Sequence, residues 1–153
     1  MHDFMLISSP PDNDAIGIGA CTALKVRKLA RKVTKIYDEA LAPHGLTVGQ
    51  IGLLACLRRR EGIPVGVLAE RLSADASTVS RLLRPLEAAE FLMLEADPGD
   101  RRARLVRLTD AGAEKRRAAA AGWAAAQERV REALGDGRLA TLRFILDDAH
   151  AHL

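Results

Sequence analysis

Aromatic residues are scarce in this chain. Three Phe, one Trp and one Tyr make up only 3% of its 153 residues. Aliphatic side chains must therefore fill the interior, and stacking of unpaired bases on aromatic platforms is disfavoured as a mode of recognition. Cysteine is scarcer still: Cys21 and Cys56 are too few and too far apart for a disulfide framework. No apolar run approaches a membrane span. The short run Phe4-Met5-Leu6-Ile7 follows an acidic residue, unlike a signal peptide. A cytoplasmic protein with no membrane partner is expected. Also missing are a glycine-rich phosphate loop, a nucleophile elbow, paired carboxylates and a metal signature, so no enzymatic activity, cofactor or metal site is expected. His150 and His152 near the carboxy terminus have no compact cluster of further ligands around them.

What is present has the balance of one folded domain, with 48% hydrophobic and 28% charged residues. The formal charge of +3 permits a nucleic-acid partner without requiring one. Residues 1–17 are polar and broken by Pro10 and Pro11, and are expected to be mobile. Helical periodicity covers about 18–42 and ends at Pro43 and Gly45. Its polar face carries Lys25, Arg27, Lys28, Arg31, Lys32 and Lys35. A second helix, capped by Thr47, is predicted to about residue 60, where Gly62, Ile63 and Pro64 break it. A third covers about 65–72. After the turn Ser73-Ala74-Asp75, a fourth runs over about 76–90 with Val79, Leu82 or Leu83, and Leu86 inward.

Two short helices joined by such a turn describe a helix-turn-helix. The next segment strengthens that reading. Leu92 and Leu94 can pair with Val106 and Leu108 across a turn at Asp97-Pro98-Gly99-Asp100, which places Arg101, Arg102 and Arg104 at or near the tip of a hairpin. An alanine-rich helix then covers about 109–134. Gly135-Asp136-Gly137 breaks it, and a final helix covers about 138–150. The fold expected is mainly α with a small β-hairpin wing. A winged helix-turn-helix lobe occupies 47–108, and 18–46 with 109–153 form a helical region whose apolar stripes suit homodimerisation.

The local words Gly45-Leu46-Thr47 with Gln50, Leu68-Ala69-Glu70, Ser77-Thr78-Val79-Ser80-Arg81, Leu86-Glu87, Asp100-Arg101-Arg102 and Leu108-Thr109-Asp110-Ala111-Gly112 follow in this order. Together they resemble the MarR family of transcriptional regulators over roughly residues 20–150. The resemblance implies a triangular homodimer whose two winged lobes grip a pseudo-palindromic operator in double-stranded DNA. Glu90 departs from it, standing where such sequences usually have glycine. A left-handed non-glycine residue costs about 1 kcal/mol, which predicts a different helix end and a slightly re-aimed wing.

The candidate DNA-contacting residues are Ser77, Thr78, Ser80, Arg81 and Arg84 on the fourth helix, with Asp100, Arg101, Arg102 and Arg104 on the wing. Hydroxyls and guanidinium groups suit base edges and phosphates. Ser77 can instead serve as a local cap. Asp100 is expected to pair with a neighbouring arginine and shape the wing, Arg102 to enter the minor groove, and Arg104 to meet phosphate. Cys21 is a candidate redox sensor, since some members of the resembled family sense peroxide through a cysteine in the first helix. Cys56 reads as a core residue. Tyr37 and His44 are candidates for a small-molecule effector pocket, and Trp123 for packing between helices or bordering that pocket. The function expected is a dimeric, sequence-specific regulator, a repressor released by an effector or by thiol oxidation. The alternative is a winged-helix module for protein–protein interaction or dimerisation without DNA binding.

Overall fold

The computed structural model describes residues 17–153, so the expected mobile segment falls outside the described residues except for Gly17. The chain divides after Lys32 into two compact units. In the first, a 3-10 turn (Ile18–Ala20) leads through Cys21 into α1 (Thr22–Leu41). The second, Val33–Leu153, begins with the remainder of α1 and holds every other element.

Within that second unit, α2 (Val48–Cys56) starts at a capping box. The Thr47 hydroxyl accepts from Gln50 N at 3.2 Å, and Gln50 Oε1 accepts from Thr47 N at 3.0 Å. The helix was expected to reach about residue 60 but stops at Cys56. Leu57 turns extended to bury its side chain while its amide still donates to Leu54 O, and Nη1 of Arg116 donates to the carbonyls of Leu54 (2.9 Å) and Leu57 (3.1 Å). Ile63–Pro64, read as helix breakers, form a short strand, β1, followed by α3 (Val65–Arg71) and α4 (Ala76–Ala88).

The hairpin is β2 (Leu92–Asp97) and β3 (Asp100–Leu108). Leu92 pairs with Leu108 and Leu94 with Val106, the register expected from alternation. β1 joins the other edge of β3 through Ile63↔Val106, giving a three-stranded antiparallel sheet. Proline is tolerated there because β1 is an edge strand. One core gathers Leu41, Leu53, Leu54, Leu57, Leu68 and Leu86 with Val79, Leu92 and Val106, all of them fully or nearly fully buried.

Glu90 makes the left-handed turn despite its side chain, at φ +59°. The expectation of a different helix end is therefore corrected. Glu90 N donates to Glu87 O and Phe91 N to Leu86 O, both at 2.9 Å, closing α4 as glycine-ended helices close. Thr109 fixes the turn, its hydroxyl donating to Glu90 O at 2.6 Å and accepting from Gly112 N at 3.0 Å to cap α5 (Asp110–Ala118). A Cβ on Gly112 would run into the Phe91 carbonyl, so glycine is required there by close approach of two backbones.

The single helix expected over 109–134 is divided at Ala119 into α5 and α6 (Ala120–Leu134). Ala119 keeps helical angles, and the bonds Ala119 N to Lys115 O and Trp123 N to Ala119 O persist, so the division is a slight loosening. α7 (Asp136–His152) begins two residues earlier than expected, because Gly135 alone makes the turn. It folds back on α6, with Arg143 donating to Gln127 at 2.9 Å.

Candidate nucleic-acid interface

α4 separates its residues by face. Val79, Leu83 and Leu86 are buried, whereas Ser77, Ser80, Arg81 and Arg84 are exposed and Thr78 is half-buried. This follows from the 3.6-residue period. Asp75, which the sequence reading placed only in the turn, is the N-cap: its carboxylate accepts from Thr78 N at 2.7 Å. Ser77 Oγ donates to the same oxygen at 2.9 Å, so Ser77 supports the cap in this structure. These bonds, first the Thr78 amide and then the Thr78 and Ser77 hydroxyls, hold the Asp75 carboxyl down at about 2. Arg81 rests on Thr78, Nη2 donating to the hydroxyl at 3.3 Å. Pro85 lies inside α4 and withdraws the amide that would bond the Arg81 carbonyl.

The wing tip is organised by two aspartates acting on backbone. Asp97 accepts from Gly99 N at 2.8 Å, and Asp100 accepts from Arg102 N at 3.0 Å. The expectation that Asp100 pairs with an arginine side chain is thereby corrected: an amide satisfies it, and no guanidinium is drawn in. Pairing passes from Ala96↔Arg104 directly to Asp97↔Asp100, which leaves residues 101–103 bulged from the ladder. Arg101, Arg102 and Arg104 are exposed. Arg102 and Arg104 share one cleft of about 410 Å³ with Ser80 and Leu83 of α4 and with Pro64 and Val65. The structure thus brings Ser80 of α4 and two wing arginines to one cleft, while Ser77, Thr78, Arg81, Arg84 and Arg101 do not line it.

Among the described residues, Arg81, Arg84, Arg101, Arg102 and Arg104 make no ion pair, whereas Arg107, three residues beyond Arg104 on β3, pairs with Glu95 at 3.1 Å. Five guanidinium groups outside any ion pair, on one helix and one hairpin, form a surface suited to a polyanion.

The MarR family model matches residues 46–103, from the capping box to the wing bulge. The HTH-type transcriptional repressor NicR of Pseudomonas putida is 30% identical over 106 residues, which cover 69% of this chain and 67% of NicR. The chain belongs to the MarR family. It is a winged helix-turn-helix transcriptional regulator of a DNA-binding family, not an enzyme. The HTH-type transcriptional regulator TtmR of Methylorubrum extorquens is also 30% identical, over 70% of this chain but only 55% of TtmR. Among solved structures, M. tuberculosis MosR in complex with DNA is 27% identical, with a TM-score of 0.72 over 86% of this chain and 96% of that one. A cysteine variant of E. coli MarR complexed with operator DNA shares the fold at 24% identity, with a TM-score of 0.75 over 92% and 99% of the two chains.

The remaining candidates are dispersed within this MarR-family fold. Cys21 and Cys56 are free thiols, each half-buried. Cys56 packs against the core as expected. His44 lies against Gly122 of α6, where a Cβ would come within 2.9 Å of its ring. Tyr37 is half-buried, and burial raises its hydroxyl pKa against the opposing charge of Arg143. Neither lines the apolar cleft of about 310 Å³ between α2 and α6. Val48, Ile51, Gly52, Ala120 and Trp123 do. No helix among the described residues is long and apolar enough to cross a membrane.

Proposed function

We propose that the protein is a homodimeric repressor that holds a pseudo-palindromic operator through α4 and the wing, and that a small-molecule effector or thiol oxidation releases it. The observation that carries this reading is the set of five arginines on α4 and the wing that make no ion pair among the described residues. Ser77, Thr78, Ser80, Arg81 and Arg84 meet the major groove. Arg102 enters the adjacent minor groove, Arg104 meets phosphate, and Arg101 adds to the field at the tip. Asp97 and Asp100 keep the tip in shape.

A second copy is supported by α7, where Phe144 (71% exposed), Ile145 (54%) and Leu146 (47%) are left exposed by the described residues of the single chain. Residues 18–46 and 109–153 then form the dimerisation region, and 47–108 the DNA-binding lobe. In the dimer the two α4 helices must stand about 34 Å apart to enter successive grooves. An effector shifts that spacing only by its differential affinity for two arrangements. The Trp123-lined cleft is the apolar site best suited to it, and Cys21 is the thiol for the oxidative route.

The test is selection of duplexes from a random pool by the full chain, then footprinting of the selected sequence with and without hydrogen peroxide. An inverted repeat with half-site centres about 10 base pairs apart, bound more weakly as salt rises, is expected. Peroxide should remove the footprint while mass spectrometry shows oxidised Cys21. Selection of no sequence, or affinity indifferent to salt, overturns the DNA reading. A footprint unchanged by peroxide with Cys21 intact overturns the thiol route alone.

A further inference from the structure

A cleft of about 590 Å³ opens where α2 ends, and five of its eight lining residues are arginines: Arg58, Arg59, Arg60, Arg71 and Arg116. No acidic residue lines it. DNA recognition as proposed above leaves this cluster unused. Arg58 O accepts from Leu108 N at the end of β3, eight residues beyond Asp100. The cleft therefore lies at the base of the wing sheet, five steps of β2 from the tip, or about 17 Å along the strand.

Arg116 gives the cleft a fixed cation. Its half-buried guanidinium is clamped by the Leu54 and Leu57 carbonyls, both served by Nη1. Nε and Nη2 have no protein acceptor among the described residues. Of the other four, only Arg59 has a carboxylate partner, Asp110 at 3.0 Å, and the pair is largely exposed. Such a pair is weak and readily exchanged for another anion. Arg58, Arg60 and Arg71 are exposed and make no ion pair among the described residues. Like charges gathered around one concavity focus a positive potential within it. Guanidinium groups present paired N–H donors that match the oxygens of phosphate and carboxylate, and the volume is that of a small-molecule site.

We propose that this cleft binds a small multivalent oxyanion bearing phosphate or carboxylate groups, with Arg116 as its fixed floor and Arg60 and Arg71 as movable clamps. The proposal does not depend on DNA binding, and its test needs no DNA for the main result. Calorimetric titration of the full chain with inorganic pyrophosphate and, separately, with citrate should give saturable binding tighter than about 1 mM for at least one. Pyrophosphate alone assigns phosphate chemistry, citrate alone carboxylate chemistry, and both a general oxyanion site. The double variant Arg60→Gln/Arg71→Gln, on exposed positions, should keep its melting temperature and weaken that binding at least about tenfold. Arg102→Gln/Arg104→Gln should leave it unchanged. Three results overturn the proposal. One is no saturable heat with either anion; another is loss of binding in the wing variant instead. The third is an Arg60→Gln/Arg71→Gln variant that weakens duplex binding while pyrophosphate binding is unaffected, which would make the cluster part of a DNA backbone track.

Discussion

Arginine is used differently in two regions of the Val33–Leu153 unit. On α4 and at the wing tip it makes no ion pair among the described residues, and the apolar side chains beneath α4 are buried. On α5–α7 half of the arginines are paired, Arg117 with Glu114, Arg129 with Glu39, and Arg131 with Glu128 and Asp136, while Arg116, Arg138 and Arg143 make no ion pair among the described residues. There it is the apolar side chains of α7 that stand uncovered. Exposed ion pairs add little stability, so pairing in the helical region chiefly cancels charge, which suits the second apolar surface that the proposed dimer would bring there. An unpaired cation points to a polyanion, and an uncovered leucine or phenylalanine points to another apolar face.

The two regions meet at Gly112, and the largest effect is expected there. In Gly112→Ala the new methyl would strike the Phe91 carbonyl and lie 2.8 Å from Leu108 Cδ1. Backbone cannot yield as a side-chain end does, so the substitution should cost at least about 3 kcal/mol in urea unfolding, or abolish folding. Native-like unfolding would mean that the wing and α5 do not join as described. Next in size is Phe144→Glu, which places charge on the uncovered face of α7. Sedimentation should then report a monomer with unchanged helix content. Operator affinity should fall on the order of 100-fold, because two half-sites would no longer be tied together. A variant that remains dimeric would remove α7 from the interface and break the comparison.

Much of this was legible in the sequence, for a local reason. The hairpin register follows from alternation at Leu92, Leu94, Val106 and Leu108, and the α4 stripe from helical period. The cap at Thr47 follows from a hydroxyl residue before an apolar helix. What escaped depends on partners distant in sequence. α2 ends at Cys56 because of Arg116, 60 positions further on, and β1 exists because Val106 lies beside Ile63. Glu90 is held in its left-handed turn by the Thr109 hydroxyl, which donates to its carbonyl. The site divides likewise. Its arginines were visible, but whether Asp100 would capture a guanidinium or an amide was not, because both choices lie within three residues. Asp75 as a cap was within reach, being a short carboxylate directly before the helix.

A smaller effect sharpens the cationic half of the comparison. Arg81→Ala should weaken operator binding at least about tenfold without moving the melting temperature, since its only side-chain bond is the long one to Thr78. The equivalent change at an already paired arginine, Arg117→Ala, should leave affinity unchanged. Equal losses from the two variants in a gel-shift titration would mean that net charge, not the unpaired surface, governs binding.

The smallest effect concerns Glu90. Because its backbone is left-handed already, Glu90→Gly removes strain without altering the path of the chain, and should stabilise the protein by up to about 1 kcal/mol. The greater freedom of glycine in the unfolded chain opposes part of that gain. Wing position, and hence operator affinity, should stay the same, because Thr109 ties the Glu90 carbonyl whatever the side chain. Chemical denaturation and a gel-shift titration on the same preparation separate the two quantities. Stabilisation with unchanged affinity fits a helix end built against its own sequence preference. A change in affinity would show instead that the side chain at position 90 helps to aim the wing.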